Sequence, residues 1–216
     1  MLRSVIFDLD GLLVDSETVI YHIYCDILRP YGYDFPLTHY AEKYCGRTLL
    51  RNMKDITSEY VLPIDAEECL RQYTEIENGY IRRGIPLKKG AMELLTYLKA
   101  RGCMVSLASS SIEERALSIL SRNHTVGFFD RFTYGPEVSN GKPAPDIFLR
   151  ALEKTGITPG ETLILEDSEA GVQAAEAAHI PVICVPDMVR PSSEVLQKAV
   201  GVFDSLLQVM EWSKRN

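Results

Sequence analysis

The chain has no long apolar run, no closely spaced cysteine pair and no surplus of positive charge, and each lack removes a class of function. No stretch approaches the roughly eighteen consecutive apolar residues that a membrane span needs, and no charged-then-apolar leader opens the sequence. A cytoplasmic location is therefore expected, with no membrane partner. The five cysteines (Cys25, Cys45, Cys69, Cys103 and Cys184) are widely spaced, odd in number and without a Cys-x-x-Cys pair. They read as reduced thiols, not as a disulfide frame or a zinc site. Lys and Arg total 23 against 30 Asp and Glu, a formal net charge of -7. Nucleic acid is excluded as a partner on that ground, because binding a phosphate backbone usually requires a basic surface. Internal repeats, low-complexity tracts and any sign of an obligate protein partner are missing too. With 216 residues and 46% hydrophobic content the chain can bury a good core, so neither disorder nor a coiled coil fits.

What is present begins with Val5-Ile6-Phe7, an apolar run leading straight into Asp8-Leu9-Asp10-Gly11. A strand ending in two carboxylates one residue apart places both at the rim of a buried sheet, where charge is costly unless it is paired or binds a cation. After Ser16 the period changes: Ile20, Ile23, Tyr24, Ile27, Leu28 and Tyr31 share one helical face, and a later helix runs through Cys69, Leu70, Tyr73, Ile76 and Tyr80. Nine of the eleven tyrosines lie between Tyr21 and Tyr80. Residues 16–86 are read as an inserted helical subdomain. From about Leu87 strands and helices alternate, as in a parallel sheet covered on both faces. The expected fold is α/β, with a parallel-sheet core on either side of that insertion.

The strands at Met104 to Ala108 and Thr162 to Leu165 also end in polar residues, Ser109-Ser110-Ser111 and Glu166-Asp167. The carboxyl ends of parallel strands lie along one edge, where ligands bind, so these distant residues should converge. Lys142, between Gly141 and Pro143, joins them from a loop. Taken singly, each has a bland alternative as a helix cap or a solvated loop residue. Together, Asp8, Asp167 and, as a further candidate, Glu166 offer hard oxygen ligands suited to Mg2+. Lys142 adds a point charge, Ser109 a hydroxyl, and the backbone N–H groups near Ser110 and Ser111 an anion cradle. The ligand this set suits is a phosphoryl group.

Four segments, Phe7-Asp8-Leu9-Asp10-Gly11, Leu107-Ala108-Ser109, Gly141-Lys142-Pro143 with Pro145-Asp146, and Leu165-Glu166-Asp167-Ser168, resemble in order the motifs of the haloacid dehalogenase-like hydrolase superfamily, in particular the group of beta-phosphoglucomutase and small-molecule phosphatases. The resemblance implies a Rossmann-like core of residues 1–15 and 87–216, with a helical cap over residues 16–86. It implies Asp8 as the nucleophile that becomes an aspartyl phosphate, and Asp10 as general acid and then base, with nearby carboxylates raising its pKa. The metal would be held by Asp8, the backbone carbonyl of Asp10 and Asp167, with Glu166 beside them, and the phosphoryl group by Ser109, Ser110 and Lys142. Asp10 speaks against dehalogenation, which has no leaving alcohol to protonate. A phosphomutase is the runner-up, but the places of its cap histidine and cap arginine hold Ile20 and Leu49. His22, Arg47 or Arg51 would have to substitute. A silent binding module is disfavoured because Asp8, Asp10 and Lys142 are all intact. The expected activity is Mg2+-dependent hydrolysis of a small phosphorylated metabolite, a sugar phosphate or nucleotide-like monophosphate. Selectivity would come from His22, Gly46, Arg47, Thr48 and the helix that starts at Glu17.

Overall fold

A computed structural model describes residues 2–215 and divides the chain into two compact units, one running through Asp15 and resuming at Pro86, the other Ser16–Ile85. In chain order the elements are β1 (Ser4–Phe7), α1 (Ser16–Leu28), α2 (Leu37–Lys43), α3 (Leu49–Glu59), α4 (Ala66–Arg83), α5 (Ala91–Ala100), β2 (Met104–Ser109), α6 (Glu113–Arg122), β3 (Arg131–Tyr134) and α7 (Asp146–Thr155). There follow β4 (Thr162–Glu166), α8 (Glu169–Ala177), β5 (Val182–Cys184), α9 (Ser193–Leu196), β6 (Gly201–Val202) and α10 (Leu206–Ser213). Among the described residues no helix is long and apolar enough to cross a membrane.

The first unit is an α/β fold around a six-stranded parallel sheet of order β3-β2-β1-β4-β5-β6. β1 lies inside it and is wholly buried, which is why Ser4–Phe7 needs no alternation of polar and apolar residues. Phe7 stands level with Leu107 on β2 and Leu165 on β4. The residues that follow these positions, Asp8, Ala108-Ser109 and Glu166-Asp167, therefore emerge together at one edge. One core cluster joins Ile6 and Ile164 of the sheet to Ile147, Phe148 and Ala151 of α7 and to Val172, Ala174 and Ala175 of α8. Burying a Phe or Ile of this kind contributes about 1.5–3 kcal/mol each.

Two strands have no counterpart in the sequence reading. β3 and β6 lie at the sheet's edges, and their segments, Arg-Phe-Thr-Tyr and Gly-Val, lack the apolar runs of the central strands because an edge strand is partly solvated.

In the second unit α1 and α4 pack on each other, as do α3 and α4. Tyrosines form its centre: the ring of Tyr24 lies 5.6 Å from Phe35, 5.5 Å from both Tyr40 and Tyr44, and 6.1 Å from Tyr73. Two of the hydroxyls reach acidic side chains, Tyr40 donating to Glu17 at 2.6 Å and Tyr44 to Glu59 at 2.5 Å. Tyr31 does not continue the α1 face. α1 ends at Leu28, and residues Arg29–Tyr31 form a 3-10 turn, since Pro30 has no N–H for an α-helical bond.

Candidate active site

At the carboxyl end of β1 the peptide N–H of Asp8 donates to the carbonyl of Leu165 at 3.1 Å, which fixes Asp8 beside the end of β4. Lys142 enters from the loop before α7, joined to Pro143 by a cis peptide. Its Nζ donates to Asp8 Oδ1 and, at 2.5 Å, to Glu166 Oε1, and it stands 4.9 Å from the centre of the Phe148 ring. The second oxygen of Glu166 accepts from the N–H of Asp167 at 2.9 Å and from the N–H and hydroxyl of Ser168, each at 3.0 Å. Both Glu166 oxygens are thus tied to neighbours, and the residue is fully buried.

The electrostatics follow from this packing. Burial pushes Asp8 up to about 7, against the pull of Lys142, and Glu166 adds to the rise. Asp167 is raised well above the usual carboxylate range by burial, then by Glu166 and Asp8. Burial acts upward on Glu166 too, but the charge and hydrogen bond of Lys142, with the Ser168 contacts, outweigh it and hold Glu166 below its ordinary value. Burial would lower Lys142, and Asp8 and Glu166 more than offset this, so the ammonium stays charged.

Asp8, Glu166 and Asp167 each offer an oxygen to a group lying within 4.8 Å of one another. Two carboxylates held towards their protonated forms beside a third ionised one make a site that a divalent cation would relieve. Gly11 adds a cradle. Its φ is +78°, and a Cβ there would collide with Asp167 Oδ2 and lie 3.1 Å from Asp187 Oδ2, itself a buried oxygen with no hydrogen-bond partner among the described residues. Crowded oxygens around a gap of this kind fit a hard cation such as Mg2+. Asp187 lies two residues beyond Val185, past the end of β5, and its other oxygen accepts from Lys88. Neither residue figured in the sequence reading, although the rule that strand ends share one edge applies to Asp187 as well.

The side chain of Asp10 does not sit in the carboxylate cluster. Its oxygens accept from Ser111 Oγ at 3.0 Å and from both terminal nitrogens of Arg115 at 2.8 and 2.9 Å. Arg115 was missed, because its contact with Asp10 spans 105 positions and Ser111 lies outside α6. Ser109 is buried, and its Oγ accepts from the Ser111 N–H at 3.1 Å. Ser110 is exposed. His22, Gly46, Arg47 and Thr48 all belong to the second unit. His22 and Thr48 are exposed there, Gly46 has a φ of +72°, and Arg47 is engaged with the carbonyl of Lys43 at 2.6 Å and with Asp55 at 2.7 Å.

The parallel α/β sheet thus gathers three buried acids and a lysine at its carboxyl edge. The chain belongs to the haloacid dehalogenase-like hydrolase family, whose model matches residues 5–185. It is 37% identical over 216 aligned residues to a Drosophila melanogaster protein named "Probable pseudouridine-5'-phosphatase", covering 93% of this chain and 88% of that one. A Thermotoga maritima protein named phosphorylated carbohydrates phosphatase is 31% identical over 189 residues, covering 83% and 82%. Among solved structures, beta-phosphoglucomutase from Clostridium difficile superposes with a TM-score of 0.76 at 25% identity, covering 100% of this chain and 96% of that one.

Proposed function

We propose that this hydrolase is a Mg2+-dependent phosphatase that transfers the phosphoryl group of a small metabolite to Asp8 and then to water. The observation that carries the reading is the buried Lys142 ammonium shared between Asp8 and Glu166, with Asp167 beside them. Asp8, the carbonyl of Asp10 and Asp167 would hold the ion, and Glu166 braces Lys142. When bound, Mg2+ neutralises carboxylate charge and lets an anionic phosphoryl group approach.

Asp8 attacks phosphorus; the bond to the leaving oxygen breaks, and Asp10 gives that oxygen its proton. Water then attacks the aspartyl phosphate with Asp10 as base, and Asp8 regains its carboxylate. Lys142 and the Ser109 hydroxyl stabilise the charge on the transferring group, aided by the N–H groups near Ser110. The residues of Ser16–Ile85 act in this reading as a cap, with His22, Gly46, Arg47 and Thr48 as selectivity candidates. The two curated relatives named above support a sugar phosphate or nucleotide-like monophosphate as substrate, with pseudouridine 5'-phosphate and sugar monophosphates first to test.

The test is phosphate release from a panel of such monophosphates, with Mg2+ or EDTA, beside Asp8→Asn. Turnover is expected for at least one substrate, with loss of activity in EDTA and in the variant. Chelator-insensitive turnover, or full activity of Asp8→Asn, overturns the proposal. Beta-glucose 1-phosphate with traces of the 1,6-bisphosphate separates hydrolase from mutase: glucose 6-phosphate forming faster than free phosphate reverses the ranking.

A further inference from the structure

Arg115, in the first turn of α6, grips the Asp10 carboxylate with both prongs of its guanidinium: Nη1 donates to Oδ2 at 2.8 Å and Nη2 to Oδ1 at 2.9 Å. Ser111 completes the clamp, donating its hydroxyl to Asp10 Oδ2 at 3.0 Å and accepting from Arg115 Nη1 at 2.6 Å. The clamp is anchored in turn. The N–H of Ser111 donates to Ser109 Oγ at 3.1 Å, and its carbonyl accepts from the N–H of Gly135 at 3.2 Å. The Arg115 side chain is only 17% exposed. A two-pronged guanidinium contact fixes both the position and the plane of a carboxylate, which a single point charge cannot do.

We infer that Arg115 is a positioning residue that holds the Asp10 carboxylate in the orientation needed to activate water. The inference rests on the reading of Asp8 and Asp10 given above. In the half-reaction concerned, the water oxygen bonds to phosphorus and the bond between phosphorus and the Asp8 oxygen breaks. Its electron pair returns to the Asp8 carboxylate, and the water proton goes to Asp10. Without the clamp Asp10 samples other rotamers, and water is activated less often.

The experiment uses p-nitrophenyl phosphate with saturating Mg2+, because nitrophenolate departs without a proton donor and the first half-reaction then proceeds without Asp10. Arg115→Gln should release about one equivalent of nitrophenolate per site in a burst, as expected when a covalent intermediate accumulates. Turnover should then run on the order of 10- to 100-fold below wild type, the range misoriented groups cost. Acid-quenched protein should carry the accumulated phosphate. Arg115→Lys, which keeps the charge and loses the fork, should show a smaller slowing. The double variant with Asp10→Asn should be no slower than Asp10→Asn alone, since Arg115 acts through Asp10.

A wild-type steady rate in Arg115→Gln, or slowing of both half-reactions with no accumulated phosphoprotein, overturns the inference while a burst in Asp10→Asn leaves the proposed function standing. An Asp10→Asn enzyme with no burst and unimpaired turnover removes the reading of Asp10 itself. If Arg115→Gln unfolds non-cooperatively, Arg115→Lys carries the test, and a wild-type rate there overturns the inference.

Discussion

The carboxylate of Glu166 fills the space that a side chain on Gly171 would need: a Cβ built there collides with the carboxyl carbon and both oxygens. Gly171 lies within α8, where Gly→Ala normally stabilises by about 1 kcal/mol. Here the sign should invert. Glu166 is fully buried and tied to Lys142, Asp167 and Ser168, so it has no open side to move into. Gly171→Ala is expected to lose roughly 1–3 kcal/mol, the usual cost of overpacking. It should also lose catalytic efficiency, because a displaced Glu166 shifts Lys142. Urea unfolding and kcat/KM measure the two effects; a stabilised, fully active variant would contradict the packing described.

The raised carboxyls predict how the metal-free protein responds to pH. Burial pushes Asp8 up to about 7 in the folded state, from an ordinary value of 3.8. Between those values the folded state binds a proton that the unfolded state does not, so stability falls as pH rises from about 4 to about 7 and this contribution is flat above. Asp167, also raised by burial, acts with the same sign. A divalent cation favours the ionised carboxylates, so Mg2+ should raise the melting temperature more at pH 8 than at pH 5. Asp8→Asn should flatten part of the slope seen in EDTA. Melting curves at pH 5 to 8, with EDTA or Mg2+, decide it: the idea fails if Asp8→Asn leaves the pH slope in EDTA unchanged.

The parallel α/β core was legible because its inner strands are buried: β1 and β4 carry the apolar runs Val5-Ile6-Phe7 and Leu163-Ile164-Leu165, and β2 reads as a strand although Ser106 breaks its run. β3 and β6 were not, because an edge strand needs neither a full apolar face nor length. The residues at the strand ends could be named from order alone. What those side chains touch could not. The contact between Arg115 and Asp10 spans 105 positions and that between Lys88 and Asp187 spans 99, and neither leaves a local pattern. The sequence also does not say that Asp10 turns to a guanidinium, or that Glu166 has both oxygens engaged.

The end of α3 offers a gain in stability remote from the proposed chemistry. Leu62 N–H donates to the carbonyl of Thr57 at 3.0 Å and Val61 N–H to that of Ser58 at 3.4 Å, the bond pattern of a helix closed by a left-handed residue. Val61 is that residue, with φ of +47°, and it is 80% exposed. A branched Cβ in this conformation costs about 1–2 kcal/mol, and little burial compensates for it. Gly removes the clash but loses more entropy on folding, so the net gain from Val61→Gly should be about 0.5–1 kcal/mol. Chemical denaturation should show the shift, with turnover unchanged. A variant less stable than wild type would mean that the Val61 side chain makes contacts in solution that outweigh its backbone strain.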